Sequence, residues 1–204
     1  MTRKGLDARA ARKETTRQAL LQAARALFAE KGYDGVSVTE IGKRAGVSHT
    51  LINAYFDGKA GLAYAIVQDL NDGQDAQMAG ILAQDAPALE RLRGLARTLL
   101  AADLEDPAMM RVLQGYAWNW NREEAVRNRA ELQTFADGVL RLIAEGRAAG
   151  EIPPGWDAQV LCRGLFALYH YALRDAVMHG KTAEAATEEL WPQAMALLGL
   201  PPPA

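Results

Sequence analysis

The stretch AGVSHTLINAYFDGK, residues 45–59, decides the fold, because it reads as a glycine turn, a cap and a short helix. Just before it stands SVTE, residues 37–40, with the capping-box spacing in which a Ser hydroxyl and a Glu carboxylate satisfy each other's backbone N–H groups. A short helix therefore starts at Ser37, carries Ile41 and Ala45 inward and stops at Gly46, and Ser48 offers a second N-cap a few residues on. Two short helices joined by a Gly-containing turn are a helix-turn-helix candidate, whose second helix can enter a DNA major groove about 12 Å wide.

The side chains support that reading. Ile52 and Phe56 lie i,i+4 apart and join Val47 in a core, which leaves His49, Thr50, Asn53 and Ala54 outward and Leu51 and Tyr55 at the margins. Asn pairs with an adenine edge and Thr bonds a base or touches a thymine methyl, so the outward set suits base reading. The Ser48 hydroxyl, the Tyr55 hydroxyl and Lys59 are then placed to contact phosphates, with Thr39 and Lys43 adding contacts from the preceding helix.

Charge agrees with a polyanion partner. The chain has 204 residues and a net charge of -2, but its first 60 residues hold eleven Lys and Arg against six Asp and Glu, whereas the remainder holds twelve against nineteen. A basic N-terminal part on an acidic body is the layout of a nucleic-acid-binding module joined to something else. Residues 1–13 read as a basic, disordered arm, either solvated or reaching phosphate or a minor groove. No apolar signal-peptide core and no run of about 18 apolar residues occur, so a soluble cytoplasmic protein with no membrane partner is expected.

Elsewhere glycine and proline punctuate helix after helix, without strand alternation or internal repeats. A first helix starts at Thr15 or Thr16, and a long one begins at Lys59. Pro87 and Pro107 open two more, the run from Arg122 to Gly150 is the longest, and two further helices flank Gly180. The fold class is all-α: a three-helix N-terminal bundle over residues 14–58 and a larger helical domain over 59–204.

The single cysteine, Cys162, sits among Leu161, Leu165 and Phe166 and reads as a buried structural thiol. His49, His170 and His179 are too scattered to make a metal site, and no phosphate loop or nucleophile elbow appears. Neither a metal, a cofactor nor an enzymatic activity is therefore expected. In GYAWNW, Tyr116 and Trp120 share a helix face and Trp118 points elsewhere, so the stretch is either aromatic packing or a pocket wall. On the helix after Gly155, Phe166, Tyr169, His170 and Leu173 group on one side, expected inward, and Leu161, Leu165, Leu168 and Ala172 on another, expected against a partner subunit.

The segment FAEKGYDGVSVTEIGKRAGVSHTLINAYFDGKAGL, Phe28 to Leu62, resembles the DNA-binding segment of TetR-family transcriptional regulators. That resemblance implies a ligand-sensing helical domain and a homodimer formed by the last two helices, here with Leu161, Leu165, Leu168, Ala172, Leu190, Ala194 and Leu197 at the interface. It implies a sequence-specific repressor that leaves a double-stranded DNA operator when a small-molecule effector binds, in a pocket expected to include Tyr116, Trp120, Phe166, Tyr169 and His170. The alternative is a helical adaptor that has lost DNA binding. Three positions depart from the family pattern: Gly42 where Ala is usual, Thr50 where Gly is frequent, and Asn53 where a phosphate-contacting Tyr is common. Operator preference is therefore expected to be unusual.

Overall fold

The computed structural model describes residues 3–117 and 122–201, which form ten helices and no strand. In chain order these are α1 (Arg3–Lys31), α2 (Val38–Ala45), α3 (Thr50–Phe56), α4 (Gly58–Leu82) and α5 (Ala88–Asp103). They continue with α6 (Pro107–Ala117), α7 (Arg122–Glu131), α8 (Gln133–Ala148), α9 (Ala158–His179) and α10 (Ala183–Leu197). Among the described residues, no helix is long and apolar enough to cross a membrane.

Two expected boundaries move. The Thr15 and Thr16 hydroxyls donate to the carbonyls of Ala11 and Arg12, each at 3.0 Å, so both residues lie inside a helix instead of starting one. The arm expected to be disordered is, from Arg3, the N-terminal part of α1. The long run after Arg122 breaks at Leu132 into α7, which buries none of its residues, and α8, which buries Phe135, Val139, Leu142 and Ile143.

The chain divides into two compact units. The first runs to Leu70 and takes in α6 from Val112, so the division falls within α4. Its buried side chains include Leu20, Ala24 and Phe28 of α1, Ile41 of α2, Ile52 of α3, and Leu62 and Ile66 of α4. The second comprises Asn71–Arg111 and the described residues from α7 onward. There Met78, Leu92, Leu95, Phe135, Leu142, Ile143, Leu161 and Trp191 make one apolar cluster. Cys162 is a free thiol buried in the same cluster, and burial pushes its pKa up.

Candidate nucleic-acid interface

The turn between α2 and α3 is fixed from both ends. Ser37, in extended conformation, accepts from the Glu40 N–H, while the Glu40 carboxylate accepts from the Ser37 N–H at 2.9 Å and closes the capping box. The same carboxylate accepts from Lys31 Nζ at 2.8 Å; that bond first, and the Ser37 bonds second, hold its pKa down at about 2. At the other end Gly46 takes the left-handed conformation, φ 68°, and Val47 N–H donates to the Gly42 carbonyl at 3.0 Å.

Gly42 explains one departure from the family pattern. A Cβ built there would stand 2.8 Å from His49 N and 2.9 Å from His49 Cα, so the start of the α3 segment lies too close to α2 for an alanine methyl. His49 itself caps nothing; Ser48 Oγ accepts from Thr50 N–H at 3.3 Å and lies 2.7 Å from the Thr50 hydroxyl. The α3 helix ends at Asp57, left-handed at φ 59°, a conformation that Asp tolerates better than most residues.

The α3 side chains divide as their spacing requires. Ile52 and Phe56 are buried and Val47 half-buried, whereas His49, Thr50, Asn53 and Ala54 are exposed and Leu51 and Tyr55 lie at intermediate depth. On α2, Thr39 and Lys43 are exposed and one turn apart, and Ser48 is exposed in the turn. Lys59 behaves differently from expectation: Nζ donates to the carbonyls of Tyr33 and Val36, each at 3.0 Å, and sits 4.2 Å from the Tyr33 ring centroid. Its charge is engaged by the loop before α2, a partnership that no local pattern in FDGK announces.

The expected effector-pocket residues belong to both units. Tyr116 belongs to the first unit, where it packs on Tyr33 at 4.7 Å between centroids and donates to the Ala60 carbonyl at 3.0 Å. Trp118 and Trp120 lie outside the described residues. In the second unit Phe166 meets Phe135 edge-on at 5.3 Å, and the Tyr169 hydroxyl donates to Asp103 at 2.6 Å. His170, expected inward with them, is exposed beside the Tyr169 ring. Asp103 was missed in the sequence; burial raises its carboxyl pKa, against hydrogen bonds from Tyr169 and Gln74. The Tyr169 hydroxyl is itself pushed upward, by burial first and then by the Asp103 charge.

Of the residues expected at a dimer interface, four are in this chain's own core. Leu161, Ala172, Leu190 and Ala194 are buried within this one chain, and Leu165 and Leu197 pack against its core. Leu168 is half-buried. Leu161 and Ala172 face inward, where α9 packs on α8 and α10. The apolar side chains left outward on α9 are Val160, Tyr171 and Met178, with Tyr171 at 64% exposure.

Residues 20–66 match the family described as bacterial regulatory proteins, tetR family. The nucleoid occlusion factor SlmA of Vibrio atlanticus is 26% identical over 141 residues, covering 69% of this chain and 72% of that one. The fold superposes on the transcriptional regulator FadR from Bacillus subtilis, solved with stearoyl-CoA, with a TM-score of 0.77 and 21% identity over 87% of this chain and 96% of that one. It also superposes on SmeT in its triclosan complex, with a TM-score of 0.69 and 20% identity over 89% of this chain and 90% of that one. Residues 20–66 thus match the tetR family of bacterial regulatory proteins, and the all-helical fold is shared with these solved regulators.

Proposed function

We propose that the chain is a homodimeric, sequence-specific repressor that a small-molecule effector releases from its operator. The observation that carries the reading is the α3 face: His49, Thr50, Asn53 and Ala54 exposed on a helix whose opposite side is locked by Ile52 and Phe56. Asn53 reads a base edge, and His49, Leu51 and Ala54 line the groove beside it. Thr39, Lys43, Ser48, Thr50 and Tyr55 position the two helices on the backbone. Lys59 supports the site through the loop before α2.

Val160, Tyr171 and Met178, with Ala167 between them on the same stripe of α9, supply the face for a second copy. Two recognition helices about 34–36 Å apart then read a near-palindromic operator. FadR and SmeT, whose fold this chain shares, are solved with stearoyl-CoA and triclosan, which supports a small organic effector here. Such an effector acts through its different affinity for the DNA-competent and incompetent states.

SlmA favours a second reading, in which the DNA contacts serve nucleoid occlusion instead of transcription. Chromosome-wide mapping of bound sites, combined with transcript levels in a deletion strain, separates the two. A few sites at promoters whose transcripts rise on deletion support the repressor. Sites scattered over the chromosome with transcripts unchanged support the second reading. For the dimer, Tyr171→Glu with Met178→Glu should convert a sedimenting dimer into monomer; a dimer unaffected by both would place the interface elsewhere.

A further inference from the structure

The basic side chains of the first unit fall into two groups. Arg25 pairs with Asp69, Lys31 with Glu40 and Arg44 with Glu30, while Arg17 stands 3.5 Å from Glu14. Lys59 is held by two carbonyls and a ring. These charges are largely neutralised inside the fold. Among the described side chains Arg9, Arg12, Lys13 and Lys43 have no acidic partner, and three of these four lie on the N-terminal part of α1. The recognition helix TLINAYF carries no Lys or Arg at all.

The α1 cations are also placed in register with α3. Arg9, Lys13 and Arg17 succeed one another at i,i+4, so they form one row along α1, with Arg12 beside it. The row ends on the recognition helix: Lys13 Nζ stands 5.7 Å from the Tyr55 ring centroid and Arg17 Cζ 5.7 Å from that of Phe56. Arg9, Arg12 and Lys13 are exposed, and they stand on the helix that meets α3 at Lys13 and Arg17.

We propose that the N-terminal part of α1 is a phosphate clamp: Arg9, Arg12 and Lys13 bind the DNA backbone beside the groove that α3 enters and supply most of the electrostatic affinity. Sequence choice is left to α3. The inference rests on the DNA-binding reading above and adds a division of labour to it. A protein whose reading helix has no cation must neutralise phosphates from elsewhere, and Lys43 alone is a small contribution to counterion release.

The test is the salt dependence of binding by the full chain to a duplex selected for tight binding and to a shuffled duplex of equal length. Every phosphate left without its cation should lower the slope of log K against log salt by about 0.9. Arg9→Ala/Arg12→Ala, which leaves Lys13 on Tyr55, should lower it by about 1.8 per protomer, and adding Lys13→Ala by about 2.7. Both variants should weaken the two duplexes by similar factors and keep the ratio between them. Ala is the stronger helix former, so α1 persists, as far-ultraviolet circular dichroism will check. Restoring charge with Arg9→Lys/Arg12→Lys should restore the slope. An unchanged slope in the triple variant, or no rescue by lysine, overturns the clamp while leaving α3 reading intact if Asn53→Ala still alters the ratio. A wild-type protein with no salt-dependent DNA binding overturns both.

Discussion

Replacing Gly42 by alanine sets two effects against each other, and the structure decides which wins. In a helix interior Ala is favoured over Gly by about 0.8–1 kcal/mol. Here the new methyl would stand 2.8, 2.9 and 3.0 Å from His49 N, Cα and Cβ, where ordinary contact begins at 3.4 Å. Two of those atoms are backbone, so they cannot turn aside; the α3 segment must move by about 0.6 Å or α2 must bend. Overpacking of that kind costs about 1–3 kcal/mol, so the net change is a loss of about 0–2 kcal/mol, or up to about 8 °C in melting temperature. DNA binding suffers more, because a shifted α3 misplaces side chains whose base pairings are worth about 1–3 kcal/mol each, and affinity for a selected operator should fall about tenfold. Thermal denaturation and an operator titration at fixed salt measure the two effects separately. A Gly42→Ala protein that melts higher and binds as before would refute the claim that the turn is closed on this glycine.

Three further outcomes concern contacts made within one unit or the other. Lys59→Ala should leave the salt slope of DNA binding unchanged but lower stability by about 1.5 kcal/mol, read by denaturant melts, because its ammonium serves the Tyr33 and Val36 carbonyls. The Glu40 carboxyl is depressed from 4.5 to about 2, so its contribution is complete above pH 4.5 and disappears as pH falls toward 2; melting temperature should drop more steeply over that window in wild type than in Glu40→Gln. Tyr169→Phe leaves the buried Asp103 carboxylate short of a donor and should cost about 2 kcal/mol at neutral pH. That penalty shrinks as pH falls and the raised carboxyl takes up its proton, whereas Asp103→Asn, with no charge to bury, should cost less than Tyr169→Phe.

What the amino-acid order disclosed was what local spacing controls. SVTE forms its capping box, Gly46 ends α2, and Ile52 and Phe56 turn inward, because each depends on neighbours within a turn or two. Contacts between distant segments were hidden. Lys59 finds carbonyls more than twenty residues away, and Tyr116 finds Tyr33 and Ala60, although nothing around either residue names those partners. The α9 helix is apolar on more than one side, and periodicity alone cannot say which side its own chain will cover; α8 and α10 took the Leu161 side. At α1 the sequence reading started the helix at Thr15 or Thr16, but threonine also bonds back to the preceding turn inside a helix, as it does here.

Selection of bound duplexes from a random-sequence pool by the purified protein shows whether the α3 face chooses DNA sequence. Wild type should enrich a near-palindrome with half-sites one or more helical turns apart, and Asn53→Ala should enrich a motif altered at one position of each half-site. No enriched motif, or the same motif from wild type and Asn53→Ala, would contradict that role for α3.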